Sequence, residues 1–210
     1  MASDVKPGRP YRTTLRQQQT DLTRERILDA ARRLLVSGGY SQVTMLELAR
    51  EAGVAYQTLF SRFGNKAQLA IELIQTGFPH VAEALTLLTQ ARDSGDPVAW
   101  LQIVGTFSRR INEPCADLFR FMRESGNPRL LGRFKEVERD RRQHFAELGA
   151  QLKQTGRLRA GLSGSDAADI LWAMAGPESY AQFVLDRGWT PDRFERWLGE
   201  ALVATLLNPG

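Results

Sequence analysis

Val43-Thr44-Met45-Leu46-Glu47-Leu48-Ala49-Arg50-Glu51-Ala52-Gly53-Val54-Ala55-Tyr56-Gln57-Thr58-Leu59-Phe60 is the stretch that decides the fold. The Thr44 hydroxyl can accept the amide three residues on while Glu47 reaches back to the Thr44 amide, so a helix opens at this point. Its inward face is Met45, Leu48, Ala49 and Ala52. Gly53 ends the helix in a tight turn, and a second short helix follows through Val54 to Phe60. Two short helices about a glycine turn outline a helix-turn-helix. Val54 and Leu59 can face inward, which leaves Tyr56, Gln57 and Thr58 near the N-terminal end, where base edges are met. Glutamine pairs with adenine through two hydrogen bonds, threonine reaches a base or a thymine methyl, and tyrosine reaches phosphate or base. A plainer reading stands beside this one, in which Thr44 only caps its helix and Tyr56 only packs.

Outward from this unit the pattern stays helical. Upstream, from Leu22, the residues Ile27, Ala30, Ala31, Leu34 and Leu35 fall on one face, and the helix is expected to stop at Gly38-Gly39. Downstream, Phe63-Gly64-Asn65 makes a turn, and Asn65 caps a helix that starts at Lys66 and carries Leu69, Leu73 and Ile74. Thr44 and Lys66 thus stand at helix N-termini, where free amides favour phosphates. Residues 1–20 are polar and interrupted by Pro7 and Pro10, and they predict a flexible basic arm. Arg9 and Arg12 of that arm could lie in a minor groove, or the arm could be a solubilising tail.

The charge is distributed unevenly. Residues 1–70 hold 11 Lys and Arg against 6 Asp and Glu, whereas residues 71–210 hold 17 against 18. The positive charge therefore gathers where phosphate would be met, although a solvated basic surface gives the same count.

The remaining sequence predicts helices over about 79–91, 97–111, 114–125, 128–155, 166–186 and 191–207, separated by breaks such as Gly126-Asn127-Pro128 and Gly188-Trp189-Thr190-Pro191. No segment alternates with a sustained period of two, so the fold class is all-α. In 191–207, Phe194, Trp197, Leu198, Ala201 and Leu202 form an apolar face wider than one packing contact needs, and Trp172 and Phe183 lie on the stretch before it. Such faces can build a two-fold interface of four helices, or pack wholly inside one chain. Trp100, Phe107, Phe119, Met122 and Trp172 are the aromatic and soft residues on central helices that an effector cavity would use, and each also suits plain core.

Several classes are disfavoured. Of 210 residues 42% are apolar and 25% charged, which suits a chain with a real core. Cys115 is the sole cysteine, and two histidines offer no zinc-like spacing, so no metal and no cofactor are expected. No apolar run of membrane length occurs, and MASDVKPGRPYR has no apolar stretch behind its charges, so a cytoplasmic location is expected. No GxGxxG, GxxxxGK[ST], HExxH or GxSxG pattern supports an enzyme.

The stretch Ile27-Leu28-Asp29-Ala30-Ala31 through Gly38-Gly39-Tyr40, then Val43 to Val54, then Thr58-Leu59-Phe60-Ser61-Arg62-Phe63-Gly64-Asn65-Lys66 and Leu69, resembles the N-terminal domain of the tetracycline-repressor (TetR) family. The resemblance implies a three-helix DNA-binding domain at 21–68 behind an arm at 1–20, and a helical bundle at 69–210 for ligand sensing and dimerisation. It implies a homodimer on double-stranded DNA with a palindromic operator, ligand-responsive and repressing in most members, with activators the less common case. By position it makes Thr44, Tyr56, Thr58, Phe60 and Lys66 DNA contacts, and the central-helix residues named above make the sensed molecule an apolar or aromatic effector. The family usually has serine where this chain has Ala55, so one hydroxyl contact is missing. The rival reading of the residues is a helical module that binds an acidic protein through the basic N-terminal end.

Overall fold

The computed structural model describes residues 11–77 and 81–208, and it divides into two compact units, residues 1–73 and 74–210. The boundary falls five residues after the one expected. Within the described residues the secondary structure is helical throughout, apart from one isolated bridge between Leu158 and Leu207.

The first unit contains α1 (Tyr11–Gly38), α2 (Met45–Glu51), α3 (Tyr56–Phe63) and most of α4 (Lys66–Thr76). α1 starts well before Leu22, so residues 11–20 of the expected arm are helical. Arginine and glutamine are good helix formers, and neither glycine nor proline occurs between Pro10 and Gly38, so polarity was no bar to a helix. Arg9 lies outside the described residues, and Arg12 falls on the first turns of α1. Ile27, Ala30, Ala31 and Leu35 of α1 are fully buried with Leu48, Leu59 and Leu69 from the other three helices. Ala30 and Ala31 are small enough to bring backbones close where a longer side chain would hold them apart.

The second unit contains α5 (Val81–Asp93), α6 (Pro97–Asn112), α7 (Ala116–Glu124), α8 (Pro128–Gln154), α9 (Gly164–Met174), α10 (Pro177–Tyr180), a π-helical turn (Ala181–Asp186) and α11 (Pro191–Leu206). Side-chain caps open α6, α8 and α11: Asp96, Asn127 and Thr190 each accept an amide of the first turn, with proline at the first position. The helix expected over 166–186 is three pieces. Pro177 has no amide to continue the ladder and forces Gly176 into extended backbone, so α9 ends and α10 starts afresh. The carbonyl of Ala175 thereby left over is buried and accepts from the Ser108 hydroxyl at 3.0 Å and the Asn112 amide at 3.1 Å.

Two crossings set the bundle. A Cβ at Gly149 of α8 would lie 2.2 Å from the carbonyl oxygen of Gly164, and one at Gly105 of α6 would lie 2.5 Å from that of Glu195. Only glycine permits backbones this close, so α8 packs on α9 and α6 on α11 at these points.

Candidate nucleic-acid interface and ligand cavity

The helix-turn-helix is built from a local cap and two long-range struts. Glu47 N donates to the Thr44 hydroxyl at 3.2 Å, while Thr44 N and its hydroxyl both donate to the Glu47 carboxylate at 2.7 Å. The capping box read from the sequence is therefore present. At the other end of α2, Gly53 turns the chain with φ +63°, and Arg26 of α1 donates to the carbonyls of Ala52 at 2.7 Å and Gly53 at 3.0 Å. Lys66, at the start of α4, donates to the carbonyl of Tyr40 and, at 2.6 Å, to that of Val43. Its ammonium also lies 4.4 Å from the centre of the Tyr40 ring. Burial holds the Lys66 amine below the usual lysine range. Lys66 thus spends donors on the α1–α2 loop, a role that spacing along the chain does not reveal.

With both ends of α2 tied down, α3 is fixed by Leu59 (0% exposed) and Phe63 (3%). Its opposite face is open. Tyr56 and Phe60 are 44% and 46% exposed and stack on each other at 6.0 Å, and Gln57 and Thr58 beside them are exposed too. Large aromatic side chains left this open normally find a partner surface. Leu46 of α2 is 47% exposed as well and lies outside the expected set. Ala55 caps α3 without a side-chain hydrogen bond, as expected where serine is missing.

The Thr44 hydrogen bonds hold the Glu47 carboxyl below its ordinary range. A depressed carboxylate stabilises the fold above its unfolded pKa and loses that contribution as the pH falls towards the lower folded value. Thermal melts of the wild type should therefore lose more than those of Glu47→Gln between about pH 5 and about pH 3, because glutamine keeps the neutral box. Parallel curves would remove the charge from the cap.

In the second unit a cavity of about 330 Å³ opens between α5, α6, α7 and α8. Phe107, Phe119 and Phe145 give it aromatic walls, and Leu85, Ile111 and Val137 aliphatic ones. His144 lines it and packs its ring against Phe107 and Phe145, both at 5.9 Å. Arg141 borders it but is committed elsewhere, to the Glu138 carboxylate and, at 3.1 Å, to the carbonyl of Trp172. Of the residues expected at an effector cavity, Phe107 and Phe119 are here. Trp100 (4%) and Met122 (0%) are core residues that do not line it, because they occupy other turns of their helices. Trp172 borders a different hollow, with Phe134 and Arg139, and its indole donates to Glu138 at 3.3 Å.

The family model of the bacterial regulatory proteins of the tetR family matches residues 27–73, the helices just described. An uncharacterized HTH-type transcriptional regulator of Haemophilus influenzae is 30% identical over 124 residues, and the match spans 59% of this chain and 58% of that protein. The HTH-type transcriptional repressor BepR of Brucella suis biovar 1 is 29% identical over 169 residues, 73% of this chain and 77% of BepR. The crystal structure of NalD, the secondary repressor of the MexAB-OprM multidrug efflux pump in Pseudomonas aeruginosa, superposes with a TM-score of 0.67 at 23% identity. It covers 92% of this chain and 100% of NalD. Residues 27–73 thus carry a DNA-binding domain of the tetR-family type.

The expected intersubunit residues divide in two. Phe194, Leu198 and Leu202 are fully buried within the chain, because α11 turns that edge onto α6 across Gly105 and Gly199. They are core residues and present nothing outward. Phe183 and Trp197 are half-buried and in contact, with ring centres 4.4 Å apart, and Trp189 completes an aromatic cluster over which Arg193 lies at 3.8 Å. Trp172 and Ala201 are half-buried as well. Among the described residues no helix is long and apolar enough to cross a membrane, and no group of three metal-ligating side chains occurs.

Proposed function

We propose that this tetR-family chain is a homodimeric, ligand-responsive repressor that reads a palindromic operator through the N-terminal half of α3. The observation that carries the reading is the open face of α3, where Tyr56, Gln57, Thr58 and Phe60 stand clear while Leu59 and Phe63 lock the helix from behind. Tyr56 and Thr58 meet base edges, Gln57 pairs with a purine, and the exposed hydroxyl of Thr44 stands beside the phosphate backbone. The cavity in the second unit is the effector site. A ligand that binds one conformation of the dimer better than the other shifts the population between operator-bound and free forms.

The test is selection of bound sequences from a random duplex pool, run on the wild type beside a Tyr56→Ala/Thr58→Ala variant. The wild type should enrich an inverted repeat, and the variant should lose about ten- to a hundredfold in affinity for it while keeping its fold. Enrichment of nothing by the wild type at moderate salt would sink the reading.

A further inference from the structure

We infer that the cavity takes a small uncharged ligand, apolar over most of its surface, whose single hydroxyl group meets Nε2 of His144. This rests on the reading of the second unit as the effector domain. Three buried side-chain nitrogens have no hydrogen-bond partner among the described residues: those of Trp100, Arg133 and His144. Only His144 belongs to the cavity lining. A buried polar atom without a partner is costly, and a ligand that supplies the missing hydrogen bond recovers that cost.

The other polar side chains of the lining are engaged. The Asn112 amide is held by Ser108 and by the carbonyl of Ala175, and Arg141 by Glu138 and the carbonyl of Trp172. The Asp140 side chain is 70% exposed, with Arg139 at 3.6 Å, so solvent meets its charge. No uncompensated charge therefore faces the cavity, which disfavours an ionic ligand. Burial also holds the imidazole of His144 below its ordinary range, which favours the neutral ring. A neutral imidazole offers either an acceptor or a donor at Nε2, and a hydroxyl answers both, as a carbonyl, which only accepts, or an ammonium, which only donates, cannot. The Phe107, Phe119 and Phe145 rings suit an aromatic body. A volume of about 330 Å³ holds roughly ten to fifteen non-hydrogen atoms at the density of protein interiors, one ring with a short substituent.

Titration calorimetry on the full chain without DNA tests this with three probes on one propylphenyl frame: 4-propylphenol, propylbenzene and 4-propylbenzoate. The phenol should bind about tenfold more tightly than the hydrocarbon, and the carboxylate should not bind. His144→Phe, which keeps a ring in place, should bind the hydrocarbon as before and bring the phenol down to it. His144→Gln, which restores a hydrogen-bonding group, should recover part of the difference. Equal affinity of phenol and hydrocarbon in the wild type, tightest binding of the carboxylate, or no binding of any probe overturns the inference. A His144-dependent preference for the phenol that leaves the affinity for the selected DNA unchanged overturns the effector reading instead, and the ligand assignment stands.

Discussion

Gly149→Ala lowers the thermal midpoint by about 10 °C, whereas Gly132→Ala on the same helix leaves it unchanged or raises it. Both glycines lie in α8 (Pro128–Gln154), so helix propensity favours alanine at both, by up to about 1 kcal/mol. Their surroundings differ. A Cβ at Gly132 meets nothing within 4 Å, while one at Gly149 lies 2.2 Å from the Gly164 oxygen and 2.8 Å from the Ala168 amide nitrogen. These are backbone atoms, which cannot swing aside as a side chain would, so α9 must move as a whole. Overpacking against backbone falls at the upper end of the usual cost, about 3 kcal/mol, which corresponds to about 10 °C for a unit of this size. Because α8 also carries Val137, Arg141, His144 and Phe145, the Gly149 variant should bind cavity ligands more weakly as well. Circular-dichroism melts of the two variants decide the matter: equal shifts would mean that α8 and α9 do not meet at Gly149.

What the sequence disclosed and what it concealed follow from the range of each interaction. The Thr44–Glu47 box and the caps at Asp96, Asn127 and Thr190 act within a few residues, so their patterns are visible in the chain and the helix starts are legible. Arg26 and Lys66 reach carbonyls more than twenty residues away, and nothing near either residue marks it as a strut. The width of the α11 stripe says how much of the helix is covered and not by which chain, so Phe194, Leu198 and Leu202 suit a partner as well as the α6 that covers them. The cavity poses a similar problem: Phe107 and Phe119 line it while Trp100 and Met122 do not, a difference of helical turn and not of chemistry. The break at Gly176-Pro177 is different, because its chemistry is plain in the sequence; the long apolar run around it masks the missing amide.

Lys66→Met separates two roles that position alone confuses, and its largest expected effect is on stability. Lys66 stands at a helix N-terminus, where a phosphate would be welcome, yet its ammonium is held by the carbonyls of Tyr40 and Val43. Methionine keeps the aliphatic stem and removes both hydrogen bonds, leaving two partly buried carbonyls without that donor. The loss should be about 2–3 kcal/mol, a drop of at least about 10 °C in a unit as small as the first one. Thr44 follows directly on Val43, so loosening this loop also displaces the start of α2, and affinity should fall by a similar factor on every DNA sequence. The discriminating measurement is the slope of log affinity against log salt, which counts phosphates neutralised. A strut leaves that slope unchanged while the midpoint falls. A slope smaller by about one with an unmoved midpoint would instead assign the Lys66 charge to the DNA backbone and require its bonds to Tyr40 and Val43 to open on binding.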